Sequence, residues 1–299
     1  MRFLFMSDTH FTSHKDKKPS IWFNRLLMNK WDEIKEKVIS EISELKPDVI
    51  IHCGDFTQFG TAEDFAYGKS ILDAIGIEWY AVPGNHDAFN EVVKKEMRRQ
   101  FVITDGSSFC YSRIFGKIAI AFLDVCVSKS DLLFSIDESS LNWLESFLNE
   151  NSGKIVFLVC HIPIQHSAVI SECGTFVDNG LPSKGKIFSI YFYETIGQIE
   201  NVNIIRKIID QHKNVKIVFS GHWHINSLHI SNDVHYKIVP SICSYPCEVV
   251  VVDSDDDKIR IYNESIGLSD LQKESLIIEW NNTWVAGTQE TRNIVIPIN

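Results

Sequence analysis

Val82-Pro83-Gly84-Asn85-His86-Asp87-Ala88-Phe89 sets an amide, an imidazole and a carboxylate side by side directly after a Pro-Gly pair. Pro-Gly marks a turn, and the run before it, residues 77–82, reads as a strand. Asn85, His86 and Asp87 therefore stand on a tight loop at the C-terminal end of a strand. Taken alone, the loop is accounted for by turn chemistry, because Asn and Asp side chains bond nearby backbone. The pattern recurs, however. Arg2–Met6 runs into Ser7-Asp8-Thr9-His10, and residues 49–53 run into Gly54-Asp55. Ile155–Cys160 runs into His161-Ile162-Pro163, and residues 215–219 run into Ser220-Gly221-His222-Trp223-His224. Five strand-like runs thus end in Asp, Asn or His, and five of the eleven histidines lie at those ends. In open α/β sheets, ligands gather in the crevice outside the carboxyl ends of the strands.

Between these runs lie amphipathic, helix-like segments. Residues 30–45 carry Trp31, Ile34, Val38, Ile42 and Leu45 at three- and four-residue steps. Residues 63–75, 139–149 and 202–212 read the same way. Alternation of strands with helices predicts a layered α/β architecture. The chain has 299 residues, 44% of them hydrophobic and 23% charged, which fits a soluble globular protein with a real core. Its formal charge is −10, and its longest basic run, Lys94-Lys95 to Arg98-Arg99, is short. That composition argues against a grip on extended nucleic acid, which needs a basic stripe. Seven cysteines, an odd number, several in apolar runs, argue against a disulfide framework. Phe3 to Met6 is too short an apolar stretch for a signal peptide, and no window approaches the roughly 18 apolar residues of a membrane span. The expectation is a cytoplasmic chain with no membrane role and with homodimerisation left open; a small phosphorylated substrate would need no basic stripe if metal supplied the positive charge.

Carboxylate, amide oxygen and imidazole together suit borderline cations such as manganese, iron or zinc. Eight such groups are too many for one ion and suit two ions about 3.5–4 Å apart that clamp a phosphoryl group. Cations also explain how an acidic protein could handle an acidic substrate, since they reverse the local charge. At this point the residues resemble a known family. D-x-H (Asp8, His10), G-D (Gly54, Asp55), G-N-H-D (84–87), H-x-P (His161, Pro163) and G-H-x-H (221–224) are similar to the five blocks of the calcineurin-like metallophosphoesterases, over roughly residues 1–262. The resemblance implies a four-layer αββα sandwich of two mixed β-sheets flanked by helices. It implies that Asp8, His10 and His224 bind one metal, that Asn85, His161 and His222 bind a second, and that Asp55 bridges them. A hydroxide between the ions would attack phosphorus. Asn85 and His86 would contact the phosphate, with His86 near the leaving oxygen as acid or charge stabiliser. Asp87 is expected to hold the loop rather than a metal. Gln58 and Phe59 replace the Asp and Arg of the Ser/Thr phosphatase branch, whereas G-D-x-T, Leu123-Asp124 and Pro240-Ser241 are similar to the class III cyclic-nucleotide phosphodiesterase branch. The implied activity is hydrolysis of a small phosphodiester, a 3',5'-cyclic nucleotide among the options. The alternatives are a phosphomonoesterase or nucleotide hydrolase using the same site, and a non-catalytic scaffold.

Other residues carry plainer expectations. His166, just after the H-x-P loop, is a further substrate-side candidate. His14 reads as part of a solvated loop, His52 as a satisfied core or edge histidine, and His212, His229 and His235 as surface or strand residues. Asp253-Ser254-Asp255-Asp256-Asp257 reads as a hairpin turn, because the spaced ligands and closing Glu of a calcium loop are lacking. The aromatic-rich stretch 166–200 is expected to border the substrate pocket. Residues 1–265 are expected to form the metallophosphoesterase domain. Residues 266–299 would be an extension packed on that body or on a partner subunit.

Overall fold

The computed structural model of the protein describes residues 1–14, 29–89, 91–101, 109–130, 133–164, 198–270 and 286–298. Two βαβ crossovers open the chain: β1 (Arg2–Met6), α1 (Trp31–Leu45), β2 (Val49–His52), α2 (Ala62–Ile75) and β3 (Trp79–Ala81). The three strands pair in parallel, as helical crossovers require. Next come α3 (Glu91–Gln100), β4 (Cys110–Phe115), β5 (Ile118–Leu123), the short β6 (Val127–Ser130) and β7 (Leu133–Ser135), α4 (Glu138–Glu150) and β8 (Ile155–Cys160). After β9 (Gln198–Ile199) follow α5 (Val202–Gln211), β10 (Val215–Ser220), β11 (Ser227–Ser231), β12 (Val234–Ile238), β13 (Glu248–Ser254) and β14 (Lys258–Ser265). The chain closes with α6 (Gln289–Arg292) and β15 (Asn293–Pro297).

The strands form two six-stranded mixed sheets, ordered β15-β14-β13-β1-β2-β3 and β11-β12-β10-β8-β5-β4, with β6, β7 and β9 in a small third sheet. The faces that meet are apolar and aromatic. Phe3 of β1 lies edge-on to Phe157 of β8, and Phe5 stacks on Phe219 of β10. Side chains alternate along a strand, so the other face of the second sheet presents Ala119, Ala121, Leu123, Val156 and Leu158. These pack in one cluster with Leu144 and Leu148 of α4 and Ile205 and Ile209 of α5. Helix α1 buries Trp31, Ile34, Val38 and Ile42, the residues its periodicity singles out. Helix α2 starts where the Thr61 side chain accepts from the Asp64 amide and stops at Gly76 in the left-handed conformation. The result is helix, sheet, sheet, helix.

One boundary differs from the sequence reading, and the structure adds detail elsewhere. The strand expected over 77–82 is confined to Trp79–Ala81. The basic run falls on α3, where Lys94 is buried and bonds the buried Asp124 carboxylate at 2.5 Å. The C-terminal run is an edge strand, β15, antiparallel to β14. The acidic stretch is the β13–β14 turn, closed by the Asp255 amide on the Lys258 carbonyl. His166, residues 271–285 of the C-terminal extension and nearly all of 166–200 lie outside the described residues. No described helix is long and apolar enough to cross a membrane.

Candidate metal centre

Strands β1, β2, β3, β8 and β10 all point their C-terminal ends to one edge of the sandwich. Asp8, His10, Asp55, Asn85 and His86 arrive from the first sheet, and His161, His222 and His224 from the second. The loops are stitched together by backbone: Asp8 N bonds Gly54 O, His10 N bonds Asp55 O, and Gly221 N bonds His161 O, each at 3.0 Å. The motif glycines permit this approach. A Cβ at Gly84 would lie 2.1 Å from the Asp55 nitrogen, and one at Gly221 would lie 1.9 Å from Ser7 Oγ.

The backbone here has a further property. Asp8, His10, Asp55, His222 and His224 all have positive φ, between 45° and 73°. Residues other than glycine adopt this region only at a cost, and persist there where the surroundings over-determine them. The turns aim the side chains inward. Asp8, His10 and His224 present ligand atoms within 4.8 Å of one another, and so do Asp55, His161 and His222, as well as His10, Asp55 and His86. His224 Nε2 is 3.4 Å from Asp8 Oδ1, and His10 Nε2 is 3.1 Å from His224 Nε2. Asn85 Oδ1 faces His161 Nε2 at 3.2 Å and His222 Nδ1 at 2.9 Å, and Asp55 Oδ1 faces His161 Nε2 at 3.3 Å.

Burial and mutual charge perturb Asp8, Asp55, His161 and His222. Burial alone would raise the Asp8 carboxyl, but His224 outweighs it and holds Asp8 below its ordinary value. Asp55, opposed by burial but faced by His161 and His86, sits well below its own. Burial would lower His161, yet the Asp55 and Asp8 charges push it up to about 9. His222 is held well below the usual imidazole value by burial and by the charge on His161.

These residues fit a pair of cations, on two observations. Asp55 Oδ2 and His222 Nε2 are buried with no hydrogen-bond partner among the described residues. His161 Nδ1 bonds the Cys53 carbonyl at 2.9 Å; a carbonyl only accepts, so Nδ1 carries a proton, and in the neutral ring Nε2 is the nitrogen that turns its lone pair inward. A backbone carbonyl behind the imidazole is the usual support for a metal-ligating histidine.

The remaining candidates divide cleanly. His86 donates from Nδ1 to the Gln58 carbonyl at 2.8 Å, and its ring meets that of His10 edge-on at 4.7 Å. Sequence reading treated Gln58 as a lost carboxylate partner; the main chain at that position supplies the support instead, which no side-chain pattern reveals. Asp87 is fully buried and accepts from Phe56 N, Gly84 N, Thr57 N and Thr57 Oγ1 at 2.7–2.9 Å. It pins the G-D loop to the G-N-H-D loop, and burial, followed by the Asp55 charge, pushes its carboxyl up to about 6. His52 is neutral in the core, lowered to about 3 by burial, and bonds Thr9 Oγ1 at 2.9 Å. His14 lies away from the cluster beside Phe59.

Comparison with known proteins gives a consistent picture. Residues 1–226 match the family described as Calcineurin-like phosphoesterase. Over 160 residues the chain is 30% identical to a probable glycerophosphodiester phosphodiesterase from Arcobacter nitrofigilis, a match spanning 53% of this chain and only 55% of that relative. Over 209 residues it is 23% identical to a 3',5'-cyclic-nucleotide phosphodiesterase from Nostoc, spanning 69% and 67% of the two chains. A dimetal phosphatase from Danio rerio superposes with a TM-score of 0.65 at 12% identity, covering 89% of this chain and 96% of that one, a likeness of fold.

Proposed function

The chain belongs to the calcineurin-like phosphoesterase family of metal-dependent phosphoric ester hydrolases, and on that premise we propose that it hydrolyses a small phosphodiester at the strand-end cluster. The observation that carries the reading is the inward convergence of seven N and O donors and His86, with Asp55 Oδ2 left without a hydrogen-bond partner among the described residues. In this reading Asp8, His10 and His224 hold one cation, Asn85, His161 and His222 the other, and Asp55 reaches both. Bound there, the cations supply Lewis acidity and a water of lowered pKa.

The protein's own residues do the rest. His161 gives up its extra proton on loading, because only the neutral imidazole is a ligand. Asp87 keeps the two loops rigid, so that Asp55 and Asn85 hold a fixed separation, the kind of positioning that lowers the entropic part of a barrier. The Gln58 carbonyl fixes the His86 tautomer, leaving Nε2 to donate to a phosphate oxygen or leaving group when the ring is protonated. Asn85 serves twice: its Oδ1 is a ligand, and its Nδ2 can donate to phosphate.

A diester is favoured over a monoester because the two relatives above carry phosphodiesterase names. Manganese-loaded protein is expected to turn over a cyclic nucleotide or an aryl phosphodiester, and the Asn85→Ala variant is expected to lose that turnover. Turnover confined to an aryl phosphomonoester would replace the diester reading with a phosphatase. No turnover of any of the three would return the scaffold reading to the front.

A further inference from the structure

Two residues beyond His224, the buried Asn226 has its whole side chain engaged. Its Nδ2 donates to Ala286 O at 2.8 Å and to Thr291 Oγ1 at 3.1 Å, and its Oδ1 accepts from Lys237 Nζ. The C-terminal segment sits directly on it: a Cβ at Gly287, where φ is +69°, would lie 2.6 Å from Asn226 O. Lys237 is 1% exposed. It lies on β12, in register with Phe219 of β10, the strand that launches the His222–His224 loop (222–224). Its ammonium also donates to Thr291 O at 2.6 Å and to Asn263 Oδ1 at 3.1 Å. Asn263 in turn donates to Glu248 Oε2 at 3.0 Å, and Glu248 Oε1 accepts from Arg292, whose Nη1 reaches Ala286 O at 3.2 Å. The network therefore closes across both sheets and the C-terminal segment.

We propose that residues 286–292, acting through Asn226 and Lys237, are a clamp that holds the His222-Trp223-His224 turn in ligand geometry, so that cation affinity is set partly by residues beyond the family match. This rests on the reading of the strand-end cluster as a metal centre. The turn needs a hold because His222 and His224 both have positive φ, and such backbone keeps its shape only while its surroundings over-determine it. On the N-terminal side the Asp8 carboxylate takes the His222 amide at 3.0 and 3.1 Å. On the C-terminal side the hold is Asn226. A buried ammonium costs heavily unless fully bonded, so Lys237 favours the seated arrangement over partial release.

The test uses the full chain and Mn2+ as probe, with affinity read by equilibrium dialysis. Lys237→Met is expected to weaken Mn2+ binding about tenfold, the lower end of what is typical for groups that support metal ligands. Thr291→Val, which removes one bond to Asn226 and the two that Thr291 Oγ1 makes with Thr288 at the start of α6, and leaves the Thr291 carbonyl to Lys237, is expected to weaken it measurably. Val295→Thr, on the outward face of β15 with 62% exposure, is expected to leave it unchanged. Turnover of an aryl phosphodiester should recover at saturating Mn2+ with KM unaltered, a signature that simple loss of stability does not produce. Wild-type affinity in folded Lys237→Met and Thr291→Val would reduce the network to a stabilising contact and overturn the clamp. Should Lys237→Met not fold, Thr291→Val decides alone. Failure of the wild-type chain to bind Mn2+ would instead sink the metal centre, and the clamp with it.

Discussion

Two buried polar clusters stand at different places in this molecule, and they are built on opposite principles. In the one formed by Lys237, Asn226, Asn263, Glu248 and Arg292, side-chain donors meet side-chain acceptors, and the Arg292 guanidinium faces the Glu248 carboxylate. In the one at the strand ends, the inward atoms crowd one another and bonding is left incomplete: Asn85 Oδ1 lies against two ring nitrogens, His10 Nε2 lies against His224 Nε2, and Asp55 Oδ2 and His222 Nε2 have no hydrogen-bond partner among the described residues. The first is complete as protein; the second is completed by something positive from outside. Buried polar groups are otherwise satisfied internally, so an unfinished cluster marks the place where function is stored at the expense of stability.

The sharpest way to break this contrast is Asp55→Asn. Asparagine tolerates the φ of 51° found there, so at a pH above about 9, where His161 is neutral and its attraction to Asp55 is gone, the metal-free chain should melt at or above the wild-type temperature. Turnover of the manganese-loaded enzyme should fall by about 10^3-fold or more, since several kcal/mol of charge stabilisation is lost. Equal damage to stability and turnover would mean the two clusters do not differ in kind. Glu248→Gln is the mirror image. Calorimetry should show a loss of about 2 kcal/mol, less than for a fully buried pair because the Arg292 side chain keeps 24% exposure, while turnover at saturating metal holds.

The dependence on pH sharpens the contrast from another side. His161, raised to about 9 from 6.5, is protonated in the metal-free chain at neutral pH and must be neutral to bind metal. Affinity for Mn2+ should therefore fall about tenfold for each pH unit below 9, with proton release visible as a buffer-dependent binding heat. The metal-free fold should move the other way. The His161–Asp55 attraction is fully present below about 6.5 and is lost as the pH rises through about 9. An affinity independent of pH between 6 and 8, measured by dialysis at about unit steps, would show that His161 is not a ligand.

Much of this was legible in the chain itself. The three-and-four spacing of Trp31, Ile34, Val38 and Ile42 locates α1 and the face it buries, and the apolar runs before each Asp or His locate the strands that carry the site. The stacking of two sheets was not in the periodicity; it came with the family resemblance, because alternation says that a strand has two faces but not what covers them. Lys237 shows the limit most plainly. In Val234-His235-Tyr236-Lys237-Ile238 it occupies an ordinary polar position, and its burial depends on Thr291 and Asn263, far along the chain. The same holds for Lys94, whose partner Asp124 is reached only through the fold. Main-chain support, from Gln58 to His86 and from Cys53 to His161, leaves no trace in side-chain identity at all.

The left-handed turns have one more consequence, for the routes by which such a site could change its metal. Softer cations call for thiolates, harder ones for more carboxylates. Yet at Asp8, His10, Asp55, His222 and His224 the main chain admits Asp, Asn, His or Gly far more readily than Cys or Glu, which pay roughly 1–2 kcal/mol for the left-handed backbone. The backbone thereby narrows the alphabet from which ligands can be drawn, and drift in the donor set is channelled among oxygen and imidazole before any selection on chemistry begins.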